Sequence, residues 1–243
     1  MKKLFKYSFF LLFLFSCSSD LDQSIEANLL IVPDYNFSNY LIECELKEGA
    51  NLLNLESFLS ILIKDDFYID NKFEIKAYFP KADYVEKFIF NIQNNTEEDI
   101  YNSFINDLSQ KGFDKIALCN FNTDKLKGIS LFDYELTSNK SSITSEILSC
   151  VYNDGYNYGT FKLAIDKFLN HMSLLKIPYQ ISYLQADNNL SEFTWINNFY
   201  SENYTEEITE LWINTMEARE IKDEFLQNAQ CIESNLYNSF TIN

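Results

Sequence analysis

Two glutamates flank a cysteine in the stretch Glu43-Cys44-Glu45, within a segment whose side chains alternate as in a β-strand. Successive side chains of a strand point to opposite faces, so the two carboxylates share one face and Cys44 takes the other. In the second half of the chain, the corresponding face of the predicted strands carries Ser149 and Thr194. A carboxylate in such a place can act as a general base or bind a cation. Glu43, Glu45, Ser149 and Thr194 therefore form a candidate cleft.

The other residue types exclude several kinds of site. The chain has one histidine, His171, and five cysteines, none of them in a Cys-x2-Cys pair. Zinc sites need clustered cysteine or histidine ligands. We therefore predict no metal site and no cofactor, and we interpret His171 as a packing residue at the edge of a helix. The pattern identifies no catalytic residue.

Rare residues recur in the same order in both halves of the chain. After a first cysteine come a glycine five residues later, an aromatic strand, a Thr-Glu-Glu helix start and a second cysteine. These landmarks are Cys44, Gly49, Phe88, Thr96 and Cys119, and then Cys150, Gly155, Phe193, Thr205 and Cys231. Such self-similarity indicates an internal repeat. We predict repeats at residues 26–124 and 130–243, with a mostly polar boundary near residues 125–140.

The hydrophobic pattern predicts the same elements in each repeat. Strands are predicted at residues 40–46, 73–79, 85–92 and 115–121, and at residues 146–152, 178–184, 192–199 and around Cys231. Helical stripes are Leu52, Leu55, Leu59, Leu62; Ile100, Phe104, Leu108; Phe161, Ile165, Phe168, Leu169, Met172; and Ile208, Trp212, Met216. We interpret Trp195 and Trp212 as core residues matched by Phe90 and Phe104. The order β-α-β-β-α-β, written twice, is the ferredoxin-like plan.

The N-terminus predicts export. Three lysines precede an apolar run at residues 7–15, which is shorter than the roughly 20 residues that a membrane span needs. The ending Leu14-Phe15-Ser16-Cys17 resembles the lipobox of bacterial lipoproteins, although Phe15 replaces the usual small residue. The resemblance implies a signal peptide at residues 1–16, lipidation of Cys17 and, with Ser18 next, an outer-membrane location facing the periplasm. An ordinary secretion signal is the alternative.

Charge limits the partners. Without Lys2, Lys3 and Lys6 the chain carries a net charge of about −20. Such a surface repels nucleic acid and anionic lipid. We predict contact with the membrane through the N-terminal lipid, no nucleic-acid partner, and a small polar ligand or a protein as partner.

The four cysteines after Cys17 can be interpreted as two disulfides or as free thiols. The first and fourth strands of a ferredoxin-like sheet are antiparallel neighbours, so Cys44 can face Cys119, and Cys150 can face Cys231 in the same way. An oxidising compartment permits disulfides, and four cysteines permit three connectivities. We predict the pairs 44–119 and 150–231. Four buried free thiols are the alternative.

Tandem ferredoxin-like halves resemble the dimeric α+β-barrel superfamily, which includes antibiotic-biosynthesis-monooxygenase-like and NIPSNAP-like domains. The resemblance implies an α+β fold in which two antiparallel sheets pack face to face as a pseudo-dimeric barrel. Some barrel relatives use a helix histidine as a haem ligand, a role that we do not assign to His171. Fold likeness by itself does not establish an activity.

The sequence shows no convergent set of acid, base, nucleophile and metal ligands. We therefore predict an exported, lipid-anchored, non-catalytic module that binds a ligand or partner. The alternative prediction is an α+β-barrel enzyme that acts on a small organic molecule through a polar inter-sheet cleft, with Glu43 or Glu45 as general base.

Overall fold

A computed structural model describes residues 31–70, 73–81, 86–95, 101–133, 142–175, 178–201, 203, 206 and 215–242. The predicted signal peptide and Cys17 lie outside these residues. So do both predicted helix starts, at Thr96 and Thr205, and three residues of the helical stripes, Ile100, Ile208 and Trp212. Within the described ranges, no helix combines the length and the apolar character that crossing a membrane requires.

The helices are α1 (Leu52–Leu62), α2 (Asp66–Asp70), α3 (Tyr101–Gln110), α4 (Tyr158–Leu175) and α5 (Met216–Asn228). The strands are β1 (Phe37–Leu46), β2 (Phe73–Pro80), β3 (Lys87–Asn94), β4 (Ala117–Cys119), β5 (Leu126–Asp133), β6 (Ser142–Tyr152), β7 (Tyr179–Ala186), β8 (Asn189–Phe199) and β9 (Ala229–Ile242).

The antiparallel sheet closes on itself. Its order is β3-β2-β9-β6-β8-β7-β5-β1, and β1 also pairs with β3, so that eight strands form a barrel. The short strand β4 pairs with the end of β1 beyond β5. The predicted α+β fold with antiparallel sheets and barrel-like closure is confirmed.

The two halves keep one register. Cys44 pairs with Phe88 and Cys119, and Cys150 pairs with Phe193 and Cys231. The helices that follow the first strands also begin alike. The Asn51 Oδ1 atom accepts a hydrogen bond from Asn54 N at 3.0 Å, and Asn157 Oδ1 accepts one from Thr160 N at 3.2 Å. Both asparagines are N-caps, which satisfy backbone N–H groups at a helix start.

Two local predictions are wrong. Residues 126–133 form strand β5, which pairs with β7 and β1, because its apolar side chains Leu126, Ile129, Leu131 and Phe132 contact the cores. Met216 is 74% exposed and begins α5, a helix that the pattern does not predict. Thr215 caps this helix by accepting a hydrogen bond from Ala218 N at 2.9 Å. The repeat bounds 26–124 and 130–243 stay a prediction.

The described residues pack into three apolar cores. One lies between the helices and strands of each half, and Phe90 and Trp195 occupy matching buried positions in these two cores. The third, here called the barrel core, fills the inside of the barrel. It consists of Phe37, Tyr78, Ile147, Leu184, Ile196 and Tyr237. The prediction of a purely hydrophilic space between the sheets is therefore wrong at the centre, and polar groups lie toward the two ends.

Candidate functional site

Five polar side chains from both halves meet at the end of the barrel where β2 begins and β5 ends, here called the lower mouth. They are Glu74 and Lys76 on β2, Asp133 at the end of β5, Gln180 on β7 and Tyr200 just after β8, and we call them the lysine cluster. Lys76 Nζ lies 2.7 Å from Glu74 Oε1, and Tyr200 Oη donates a hydrogen bond of 3.1 Å to Gln180 Oε1. Both Asp133 and Tyr200 interact electrostatically with Glu74 and Lys76.

The alternation of β2 directs Lys76 into the barrel. Ile75 and Ala77 pack in the core under the first-half helices, so their neighbours point inward, where Tyr78 joins the barrel core. Lys76 is 7% exposed. Among the described residues it is the only charged side chain that is buried. A buried charge needs a partner, and Glu74 supplies one.

A β-bulge brings Asp133 to the same place. The register between β5 and β7 shifts between Ser130 and Phe132, so that Asp133 lies opposite Gln180. A bulge adds one residue to one strand and thereby changes which side chain faces inward. Without the bulge, strict alternation puts Asp133 on the outer face, and this is why the sequence does not predict Asp133 beside Glu74 and Lys76.

The cluster sets the protonation of its members. Burial lowers the pKa of the Lys76 ammonium, but Tyr78 and the Glu74 carboxylate raise it, and the pKa lies above its usual value. Burial, followed by the charge of Glu74, raises the pKa of Asp133, with Lys76 opposing. Burial also raises the pKa of Tyr200, which keeps its hydroxyl protonated. At neutral pH the lower mouth therefore combines the Lys76 cation, a carboxyl group whose pKa is raised and a protonated hydroxyl group.

Buried hydrogen bonds fix the side chains behind the cluster. Asn198 Nδ2 donates to Gln180 Oε1 at 3.0 Å, and Ser145 Oγ donates to Asn198 Oδ1 at 2.6 Å. On the other side, Asn91 Nδ2 donates to Tyr78 Oη at 3.1 Å. Each amide has its orientation set by a neighbour, which favours a preorganised site.

The predicted cleft is only partly assembled. Ser149 and Thr194 pair across β6 and β8 and line a cavity of about 550 Å³ at the opposite end of the barrel, the upper mouth. Glu45 instead lines a separate recess with Glu86. Glu43 and Glu45 are both exposed. Asp133 of the lysine cluster is exposed too. Glu43 and Glu45 are set aside because neither lines the cavity that Ser149 and Thr194 share.

The cysteines lie at matching places on the first and fourth strands of each half. The structure joins Cys44 to Cys119 and Cys150 to Cys231. Cys44 and Cys150 are buried beneath the helices. The disulfides thus tie each half together and lie outside the lysine cluster.

His171 lies near the C-terminal end of α4, at the edge of its buried stripe, and its Nε2 atom is buried without a hydrogen-bond partner in the described part of the chain. The space between α4 and the sheet is filled by Phe161, Phe168 and Trp195, all buried. The described residues around His171 therefore do not fit a haem. The described residues also hold no group of three or more His, Cys, Asp or Glu side chains suited to a metal ion.

No protein-family model and no curated protein matches the chain. Solved structures do match. A provisionally named monooxygenase from Lactobacillus acidophilus is 12% identical, with a TM-score of 0.55, and the alignment covers 85% of this chain and 95% of that one. A variant chlorite dismutase from Candidatus Nitrospira defluvii is 8% identical, with a TM-score of 0.53 and coverages of 85% and 92%. A dye-decolorizing peroxidase from Bacteroides thetaiotaomicron is 8% identical, with a TM-score of 0.51 and coverages of 87% and 94%.

These comparisons correct the functional prediction. The matching structures are named as enzymes, which contradicts the preferred prediction of a non-catalytic module and agrees better with the alternative of an α+β-barrel enzyme. At 8–12% identity the likeness shows the fold alone, so the chemistry has to be derived from the lysine cluster.

Proposed function

We propose that this protein is an α+β-barrel enzyme that moves a proton on a small organic molecule bound at the lysine cluster. The observation that carries the proposal is the buried ammonium of Lys76, held 2.7 Å from Glu74 at a mouth that both halves build. Enzymes place charged donors where charge develops in the transition state, in sites shielded from water. The enzyme names of the similar structures support the same class of function.

The residues have separate roles in this proposal. The Asp133 carboxylate takes a proton from a carbon next to a carbonyl group. The electron pair of the broken C–H bond forms a C=C bond, and the π pair of the carbonyl group moves onto the oxygen. The Lys76 ammonium stabilises the enolate oxygen that forms. Gln180 and Tyr200 hold the polar groups of the substrate. The Asp133 carboxyl then exchanges its proton with solvent and returns one to the same carbon, which closes the cycle. In D2O the carboxyl returns a deuteron, so deuterium is left on the substrate.

A raised pKa of the Asp133 carboxyl group favours its role as the base that removes the proton. A general base is most effective when its pKa lies near the working pH, and burial together with a neighbouring carboxylate moves Asp133 in that direction. Ketones are the simplest substrates of this class, because their α-protons exchange slowly in neutral buffer.

The test is deuterium uptake. A panel of small alkyl and aryl ketones is incubated with the protein in D2O and analysed by mass spectrometry. We expect at least one ketone to exchange faster than in buffer, and Asp133→Asn to slow that exchange about 10²-fold or more. Asp154→Asn, at an exposed turn position, is the control that keeps the full rate. Exchange no faster than in buffer across the panel, or an undiminished rate in Asp133→Asn, contradicts the proposal.

The enzyme is further proposed to be held at the outer membrane through a lipid on Cys17, facing the periplasm. The lysine-rich start, the apolar run and the Ser16-Cys17 ending support this. Several acyl chains give stable anchoring. Membrane fractionation of cells that express the wild type and Cys17→Ala tests it. The wild type is expected with the membranes and the variant in the soluble fraction, whereas equal distribution of the two contradicts the anchor.

A further inference from the structure

A cavity of about 440 Å³ opens on the outside of the first half, where α1 faces the pairing of β2 with β9. Its walls are mainly apolar, and we call it the α1 groove. Its lining includes Leu52, Leu53, Phe79 and Phe240. Leu53 is 69% exposed and Phe240 is 39% exposed. The groove lies on the helix side of the sheet, so it is separate from the lysine cluster inside the barrel.

In the second half, the surface that corresponds to the α1 groove is covered by a segment of the chain. Residues 31–36 lie across the start of α4 and the strands β5 and β7. Tyr35 Oη donates a hydrogen bond of 2.8 Å to Gln185 Oε1, and Asn36 N donates one of 2.9 Å to Gly128 O. The Tyr35 ring packs against the second-half core. A chain segment with an aromatic anchor therefore covers this face of the second half.

The register shows that the two places are equivalent. Cys44 and Cys150 are 106 residues apart, and the same offset relates Phe79 to Gln185 and Leu53 to Gly159. A side chain at Gly159 would lie 3.2 Å from Ile31 Cβ, so glycine makes room for the covering segment. In the first half Leu53 stands at that position with its side chain exposed, and the α1 groove is open.

We infer that the α1 groove binds a small, neutral aromatic molecule whose ring takes the position that Tyr35 holds in the second half. The cavity volume lies in the range of small-molecule sites, roughly 300–1,000 Å³. Phe79 and Phe240 stand edge to face, with ring centroids 5.8 Å apart, and offer ring surfaces to an aromatic ligand.

The lining selects the ligand's polarity. Phe79 replaces the hydrogen-bond acceptor Gln185 of the second half, so the deep end of the groove suits an apolar ring without a hydroxyl group. The described lining includes the acidic residue Glu56 and no basic residue. An anionic ligand is therefore disfavoured, and a neutral one is accepted.

The probe is N-phenyl-1-naphthylamine, a neutral aromatic dye that fluoresces strongly when it leaves water. Titration of the purified protein is expected to show saturable binding to one site. Leu53→Glu places a charge at the mouth of the groove and is expected to weaken binding at least tenfold. Leu163→Glu is the matched control, because Leu163 is a 70% exposed leucine on α4 and lies outside the groove. We expect it to bind as the wild type does.

Phe240→Ala removes one ring from the groove wall without a new charge and is expected to weaken binding several-fold. Melting temperatures of all variants are measured alongside, so that a folding defect is recognised. Absence of saturable dye binding by the wild type, or equal binding by Leu53→Glu and Leu163→Glu, overturns the inference. The α1 groove and the lysine cluster share no residue. Dye binding therefore tests the groove independently of ketone exchange, and a failure of ketone exchange does not affect the inference.

Discussion

Lys76 Nζ and Glu74 Oε1 lie 2.7 Å apart on the inner face of one strand, but the two side chains differ in exposure. The side chain of Lys76 is 9% exposed, whereas that of Glu74 is 39% exposed. The ion pair thus has a buried cation and a carboxylate that reaches the lower mouth. In the proposed function the substrate enters beside Glu74 and binds next to the ammonium of Lys76.

Removing the cation should destabilise the fold. Lys76→Met leaves the carboxylates of Glu74 and Asp133 near each other without their shared partner, and we expect a loss of about 1–3 kcal/mol in the free energy of unfolding. Urea denaturation at pH 7 measures it. Lys87→Met, at an exposed position on β3, should change stability by less than about 0.5 kcal/mol. Adding Glu74→Gln to Lys76→Met should restore part of the lost free energy of unfolding. If the double variant is no more stable than Lys76→Met, the destabilisation does not come from an unpaired Glu74 carboxylate.

The stability of an Asp133→Asn variant should depend on pH relative to the wild type. The folded-state pKa of Asp133 lies above its ordinary value of 3.8, so the folded state holds this proton at pH values where the unfolded state has lost it. The wild type therefore loses stability as pH rises above 3.8 through the folded pKa, and asparagine does not. Urea unfolding is measured at pH 3 and pH 7. The free energy of unfolding of the variant, relative to that of the wild type, should be higher at pH 7 than at pH 3. An equal difference at both pH values contradicts a raised pKa.

Each disulfide should contribute substantially to stability. They close loops of 75 and 81 residues, which in the chain-entropy model corresponds to about 4 kcal/mol each. Cys44→Ala/Cys119→Ala and Cys150→Ala/Cys231→Ala should therefore cost similar amounts in urea denaturation. Mass spectrometry after alkylation of the unreduced protein provides the direct check. Alkylation at all four of these cysteines without reductant means that the disulfides are not formed.

Gly128 should not tolerate a side chain. A Cβ atom at this position would collide with the Phe37 ring and lie 2.7 Å from Leu184 Cδ2, both in the barrel core. Gly128→Ala is expected to cost about 1–3 kcal/mol in the free energy of unfolding through overpacking. In the Phe37→Leu background the same change should cost measurably less. Equal costs in the two backgrounds show that Phe37 is not the obstacle.

Much of the fold can be predicted from the sequence because cysteine and glycine, which are rare in this chain, recur at similar spacings in both halves. The spacing of Cys44, Gly49 and Cys119, which Cys150, Gly155 and Cys231 repeat, together with the hydrophobic pattern, predicts every strand of the barrel except β5. Local alternation also places Glu74, Lys76 and Gln180 on the inner faces of their strands. These features depend on contacts within one repeat, which periodicity can reveal.

The lysine cluster could not be predicted in full because it depends on how the halves join. Asp133 reaches it through the pairing of β5 with β7 and through the bulge after Ser130, and alternation alone assigns it to the opposite face. Glu43 and Glu45 have the right spacing for a shared face, but they lie at the exposed end of β1. A residue pattern gives the face of a strand, whereas barrel closure decides which end of it is enclosed.

The most direct test of the central claim compares ketone exchange in D2O by the wild type, Lys76→Met and Lys87→Met. If the buried ammonium stabilises the developing enolate, Lys76→Met should lower the rate about 10²-fold or more, as the loss of one such donor does elsewhere, while Lys87→Met keeps the wild-type rate. Folding of each variant is verified by circular dichroism. Equal exchange rates in folded Lys76→Met and in the wild type contradict the assignment of the lysine cluster as the catalytic site.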